Sequence, residues 1–182
     1  MTGIDPELLG RLRGAPMGAE AWRTALEEHE KFVRATRPGA SSRWQVLDVS
    51  GLPLAVWTGG SSERGKQLNL NLGNLSGLAL DAANLTAAGL PGVFAENVSF
   101  RGATLRLALL TDARLDGADF TGADLDLADF SRSSLRNASF RNVTGTETDF
   151  ENCDLRGADF TGSQLLRPKL TGARLEDVKG LN

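Results

Sequence analysis

The sequence predicts an all-β solenoid over residues 68–182, preceded by a small non-repeating segment over residues 1–67. Two observations carry this prediction. From Leu70 to Leu175 every residue whose number is a multiple of five is leucine or phenylalanine except Ala95 and Gly145, which makes 20 matches in 22 consecutive slots without an insertion. Two positions before each large residue stands a small or modest apolar one, as in Ala118-Asp119-Phe120, Ala123-Asp124-Leu125 and Ala158-Asp159-Phe160. A period of five suits neither an α-helix, whose face recurs about every 3.6 residues, nor a plain strand, whose face recurs about every 2. The chain must therefore change direction once in every unit.

Within a unit, residues two apart on an extended stretch point to the same side, so the small and the large apolar residues both face inward and the residue between them faces out. The last two residues, often Thr-Gly, Arg-Gly or Arg-Asn, turn the corner. Glycine and asparagine suit such corners because they accept unusual backbone angles and make local hydrogen bonds.

This pattern resembles the pentapeptide repeat, a family motif of the form Ala-Asp/Asn-Leu/Phe-X-X, over about Leu68 to the C-terminus. The resemblance implies a right-handed quadrilateral β-helix with four pentapeptides per coil, so that residues 20 apart stack. On that layout Phe100, Phe120, Phe140 and Phe160 form one column after Leu80. A neighbouring column holds Leu70, Leu90, Leu110, Phe130, Phe150 and Leu170. These rings are expected to be structural core. With 115 residues in the repeat and coils stacked at strand spacing, the rod is about 5.75 coils and roughly 27 Å long. Ala95, which follows the displaced aromatic Phe94, and Gly145, in Val143-Thr144-Gly145-Thr146-Glu147, mark candidate bulges or flattened corners. Phe94 is a candidate exposed anchor for a partner.

The first 67 residues carry a different pattern. Asp5-Pro6 starts a helix with Leu8, Leu9 and Leu12 on one face, and Gly14 stops it. A second helix is expected from about Gly18 to Arg37, with Trp22, Leu26, His29 and Val33 on its apolar stripe, joined by Ala25 and Phe32, before Pro38-Gly39. Trp44 to Val49 and Leu52 to Trp57 form two short strands around Ser50-Gly51, and Gly59 to Lys66 is a polar loop. An open solenoid exposes backbone groups and apolar core at its ends, so this segment is expected to cap the first coil, or else to grip a partner. The repeat continues through Leu175, and residues 176–182 leave no room for a capping helix. Two copies are therefore expected to pair as a homodimer through their C-terminal coils.

Composition argues against an enzyme. The chain has one histidine, one cysteine and no tyrosine, so metal clusters and histidine-dependent nucleophiles lack their parts, and no catalytic, cofactor or metal site is expected. His29 lies on an apolar stripe. Cys153 fills the small inward slot before Leu155, where a buried, reduced thiol is expected. The carboxylates follow the repeat, which favours Asp at its middle position, and no phosphate-cradling glycine loop is present. No stretch reaches the roughly 20 apolar residues that a bilayer requires, and the N-terminus lacks a signal-like pattern, so no membrane contact and cytoplasmic residence are the expectation.

Charge is the guide to a partner. Residues 68–182 hold 11 basic and 15 acidic side chains, a net charge of −4. Asp119, Asp124, Asp126, Asp129 and Asp149 are expected to form a negative stripe over adjacent walls, with Asp129 stacked over Asp149. Such a surface disfavours direct contact with nucleic acid. It suits imitation of nucleic acid, and the resemblance implies this as one possibility, because the family includes proteins that mimic a duplex and protect bacterial type II topoisomerases, DNA gyrase among them. The most concrete expectation is thus a non-enzymatic protein-interaction module that protects or modulates DNA gyrase. The alternative is a structural adaptor or effector that recruits a protein through its N-terminal segment. Replacing Asp129 and Asp149 by lysine is expected to spare the fold and weaken an acid-dependent partner.

Overall fold

A computed structural model of the chain describes Arg23, residues 42–49, 52–59 and 66–67, residues 74–76 and 78, and residues 80–181. Strand β1 (Ser42–Val49) pairs antiparallel with β2 (Leu52–Gly59) across the expected Ser50-Gly51 connection, each strand reaching two residues further than the sequence pattern suggests. β3 (Lys66–Gln67) adds to the other edge of β2. Arg23 is helical. The rest of the helix expected over 18–37, with His29, and the helix expected after Asp5 lie outside the described residues, as does the loop over 60–65.

From Asn74 onward the chain winds as a four-sided tube. Parallel bridges join residues 20 apart throughout, so that one wall runs Asn74, Phe94, Arg114, Ser134, Asp154 and Arg174. One unit shows how the backbone is satisfied. Thr104 N–H donates to Ala83 C=O in the preceding coil at 2.9 Å; Leu105 and Leu107 N–H donate to Asp124 and Asp126 C=O in the next coil, each at 2.8 Å; and Ala108 N–H closes the corner on Leu105 C=O at 3.0 Å. Four of the five amides in this unit thus bond either across a corner or to a neighbouring coil, which pairs the backbone with little conventional strand.

The inward register is the one the five-residue spacing predicts. Leu75, Leu80, Leu85, Phe100, Phe120 and Phe140 are fully buried, and so are the small residues Ala88, Ala108, Ala118, Ala123 and Ala128 two places before a large one. Phe100, Phe120, Phe140 and Phe160 stack near-parallel with ring centroids 4.9, 5.0 and 4.7 Å apart, and Phe130 and Phe150 stack at 5.3 Å. The two columns are not neighbours on adjoining walls, as the sequence layout suggests. Ten residues are half a coil, so they stand on opposite walls and meet edge to face across the interior, Phe120 against Phe130 at 5.4 Å and Phe140 against Phe150 at 5.4 Å. Edge-to-face contact is the favoured geometry for the ring quadrupole.

Every corner demands a left-handed residue. From Ala82 to Asp177 each residue two places after a large inward one has a positive φ, whether it is glycine, asparagine, leucine or arginine. Such a conformation costs an ordinary L-residue about 1–2 kcal/mol, and glycine avoids it. At Gly157 a second constraint applies: a Cβ there would collide with Asn137 Oδ1, the corner residue one coil earlier.

The two exceptions to the period differ from each other. At Ala95 there is no bulge: its N–H donates to Arg114 C=O at 2.8 Å, Val98 N–H closes the corner, and the methyl is fully buried. At Gly145 the wall flattens into β4 (Thr144–Thr146), which pairs in parallel with β5 (Gln164–Leu166). A Cβ on Gly145 would stand 2.6 Å from Thr148 Oγ1 and 3.2 Å from both the Leu125 carbonyl carbon and Leu165 Cδ2. Thr148, fully buried, and Leu165 therefore fill the interior that a side chain on residue 145 would occupy. At the far end the interior opens, with Leu170 partly buried and Leu175 40% exposed.

Candidate functional site

The outward carboxylates belong to the backbone before they belong to any partner. An Asp one place before the large residue accepts the amide two residues ahead: Thr121 N–H to Asp119 at 2.9 Å, Asp126 to Asp124 at 3.1 Å, Ser131 to Asp129 at 2.8 Å and Glu151 to Asp149 at 2.9 Å. This is the local turn that short acidic side chains make. Asp126, one place after the large residue, instead accepts Thr146 N–H from the next coil at 2.8 Å. Each of the five candidate aspartates therefore spends one oxygen holding a turn or joining two coils.

Their second oxygens mostly meet cations. Arg101 pairs with Asp119 at 2.8 Å, Arg106 with both Asp124 at 3.5 Å and Asp126 at 2.9 Å, and Lys169 with Asp149 at 3.1 Å. Such exposed pairs contribute little stability, about 0–1 kcal/mol each, yet they cancel field. The carboxylates also divide among three walls: Asp119 with Phe120, Asp124 and Asp126 with Leu125, and Asp129 and Asp149 with Phe130 and Phe150. The negative stripe expected across adjacent walls thus lies on three consecutive walls, with much of its charge met by cations. Clustering along the chain concealed partners 18 and 20 residues away, which stacking places alongside.

Asp129 stacks on Asp149, as the 20-residue spacing predicts. Their wall carries Asp112, Asp129, Asp149 and Glu151 against Arg132 and Lys169. It is the most negative of the four. Arg132 grips Asp112 through two hydrogen bonds, at 2.8 and 2.7 Å, and that side-chain contact draws the Asp112 carboxyl below its ordinary range. Phe94 stands on another wall, half-buried, with the Arg114 guanidinium 5.5 Å from its ring centroid. That is a cation–π arrangement, so the ring is dressed by a cation of the same column.

On the Leu115 wall Asp154 collects Arg136 and Arg156, each at 2.7 Å, with Arg174 at 3.9 Å. The Arg156 guanidinium, followed by that of Arg136, holds the Asp154 carboxyl well below the usual carboxylate range. Asp159 is held at about 2, chiefly by the Thr161 hydroxyl and amide and then by Arg141. Inside the tube, Cys153 donates to Phe130 C=O at 2.9 Å, and burial pushes its thiol up to about 12. A thiol so raised is protonated at neutral pH and a poor nucleophile. Among the described residues no group of three or more His, Cys, Asp or Glu could hold a metal ion, and no helix is long and apolar enough to cross a membrane.

The model of one family, described as pentapeptide repeats, matches the chain in eight copies over residues 95–126, 105–142, 123–162 and 146–179. Over residues 95–179 the chain carries the repeats of the pentapeptide-repeat family. Its fold is the right-handed quadrilateral β-helix of that family. Among solved structures the chain is similar to QnrB1, a plasmid-mediated fluoroquinolone resistance protein, at 22% identity over 62% of this chain and 55% of that one, with a TM-score of 0.41. It is similar to HetL, a pentapeptide-repeat protein involved in heterocyst differentiation regulation from Nostoc sp. strain PCC 7120, at 28% identity over 61% of this chain and 52% of that one, TM-score 0.30. A pentapeptide-repeat protein from the Arabidopsis thaliana thylakoid lumen shares 29% identity over 63% of this chain and 68% of that one, TM-score 0.38. The chain spans about half the length of the first two. No curated protein matches it by sequence.

Proposed function

We propose that this pentapeptide-repeat protein is a non-enzymatic protein-binding rod whose contact surface is the wall of Asp129 and Asp149. The observation that carries this reading is the wall's excess of acid on a rigid scaffold, four acids against two bases, which leaves a net −2 after Arg132 pairs with Asp112 and Lys169 with Asp149. The other three walls carry net charges nearer to zero. Proteins that repeat one backbone unit offer long, stiff surfaces of this kind to partners. Residues 1–67 serve as the cap of the first coil, and residues 68–182 as the binding rod. Phe94, under Arg114, is a secondary contact.

The most concrete form of the reading is modulation of a bacterial type II topoisomerase such as DNA gyrase in the cytoplasm, with the acidic wall standing in for duplex phosphates. A duplex carries about one negative charge per 1.7 Å, whereas the whole repeat region carries a net −4. Mimicry is therefore confined to the Asp129–Asp149 wall and does not extend around the rod. Pairing of two copies into a homodimer through the coils around Leu175, an exposed leucine, belongs to the same reading. Supercoiling by gyrase, measured with and without a quinolone at micromolar protein, tests the reading. Inhibition or protection that falls in an Asp129→Asn/Asp149→Asn variant is expected. No effect on either activity removes the topoisomerase form, and binding through residues 1–67 becomes the alternative to pursue.

A further inference from the structure

Three leucines stand outside the tube where the repeat places polar residues. Leu107 and Leu127 occupy the same corner in successive coils, and Leu109 stands just past that corner, on the column of Asp129 and Asp149. They are 52, 46 and 46% exposed.

Folding does not account for them. Leu107 and Leu127 sit at left-handed φ of 60° and 55°, where asparagine, aspartate or glycine is better suited and where Asn97, Asn137, Asn142 and Asn152 stand on other corners. Leu109 takes the slot in which Asp124 and Asp129 accept the amide two residues ahead, a bond leucine cannot make. All three positions thus forgo a locally favourable residue in order to expose an apolar one. Left-handed φ is common to every corner, so it is the clustering of three exposed leucines on one edge that points to binding.

Charge selects the occupant. The edge adjoins the wall of Asp129, Asp149 and Glu151, whose acids outnumber its bases. We propose that the Leu107–Leu109–Leu127 edge docks a basic amphipathic segment of a partner protein, its apolar stripe packed on the three leucines and its lysine or arginine flank against the acid-rich wall of Asp129 and Glu151. This rests on the protein-binding reading above and assigns it a surface. A second copy of the chain is a poor occupant, because three leucines on one edge provide far less than the roughly 1,200 Å² of a stable interface. An anionic lipid surface is repelled by the same wall.

The test uses the full chain and a synthetic helical peptide with leucines at i, i+3, i+4 and i+7 and lysines elsewhere, followed by fluorescence anisotropy. A peptide of the same composition in scrambled order and one with glutamate replacing lysine are the controls. Saturable binding of the first peptide, weakened about tenfold or more in a Leu107→Asn/Leu109→Asp/Leu127→Asn variant and for both control peptides, is expected. The variant restores residues the corner geometry favours, so its melting temperature should match or exceed that of the parent. Four results overturn the proposal: no binding, equal binding by the variant or by the scrambled peptide, a lower melting temperature in the variant, or a dimer that the variant dissolves. The third would mean that the chain's own N-terminal segment covers the leucines, the fourth that a second copy does. A gyrase assay run in parallel separates the two levels: peptide binding without any gyrase effect removes the topoisomerase reading alone, and a gyrase effect without peptide binding removes this edge alone.

Discussion

Thr148 occupies the interior that a side chain on Gly145 would fill, its Oγ1 donating to Leu125 C=O at 3.0 Å. The repeat rule says that position 145 should be leucine. The packing says the opposite, because Thr148, Leu165 and the Leu125 backbone already lie within 3.2 Å of where its Cβ would be. Gly145→Leu should therefore destabilise the protein by about 1–3 kcal/mol through overpacking. Denaturant unfolding decides the sign, and a gain in stability would mean that the wall has room.

The ring columns make the largest single contributions. Phe120 touches Phe100 and Phe140 in its own column and Phe130 across the tube. Truncating Phe120 or Phe140 to alanine should cost about 3–5 kcal/mol, the usual loss for a buried aromatic. Urea titration of both variants checks this, and a cost under about 1 kcal/mol at both would place the rings outside the core.

Ser133 replaces a corner bond. Its hydroxyl accepts Ala113 N–H at 2.9 Å and donates to Leu110 C=O at 2.6 Å, bridging two groups whose counterparts pair directly at most other corners. Ser133→Ala leaves both buried and unpaired, for an expected loss of about 1–3 kcal/mol. Ser133→Thr, which keeps the hydroxyl, should lose less in the same unfolding measurement.

Stability should fall at both ends of the pH scale. Asp154 and Asp159 titrate lower in the folded chain than their ordinary value of 3.8. The stabilisation they bring is present above about pH 4 and is lost as pH falls through that value towards 2 and below. Cys153 titrates near 12 when folded and near 9.0 when free, so stability is intact below pH 9.0 and declines as pH rises towards 12. Thermal melts from pH 2 to 11 should show a plateau with two shoulders, and Cys153→Ala should remove the part of the alkaline shoulder owed to the thiol.

The stacking of Asp129 on Asp149 and the burial of Cys153 follow from residue number alone, because each depends only on a spacing of 20 or on the slot within a unit. What could not be seen in the chain depends on three-dimensional neighbours. The pairing of Arg101 with Asp119 and of Arg136 with Asp154 spans 18 residues and becomes visible only once coils are laid side by side. The opposition of the Phe120 and Phe130 columns needs the number of sides to be counted. At Leu107 and Leu127 the left-handed corner is hidden, since leucine gives no sign of it and only glycine and asparagine do. The same concealment affects the candidate aspartates. They look like free charge in sequence, yet each holds a backbone amide, which is why asparagine, able to keep that bond, is a cleaner substitution at Asp129 and Asp149 than the lysine that charge reasoning suggests.

The inside-outside alternation is tested most directly by the reactivity of the native thiol. Cys153 lies at an inward slot two places before Leu155, fully buried. In the folded protein at neutral pH it should resist a thiol reagent such as DTNB and react only at the rate of global unfolding, while a cysteine placed at the outward position Ser131 in a Cys153→Ala background should react at once. Immediate, stoichiometric labelling of Cys153 in the native chain would contradict the tube.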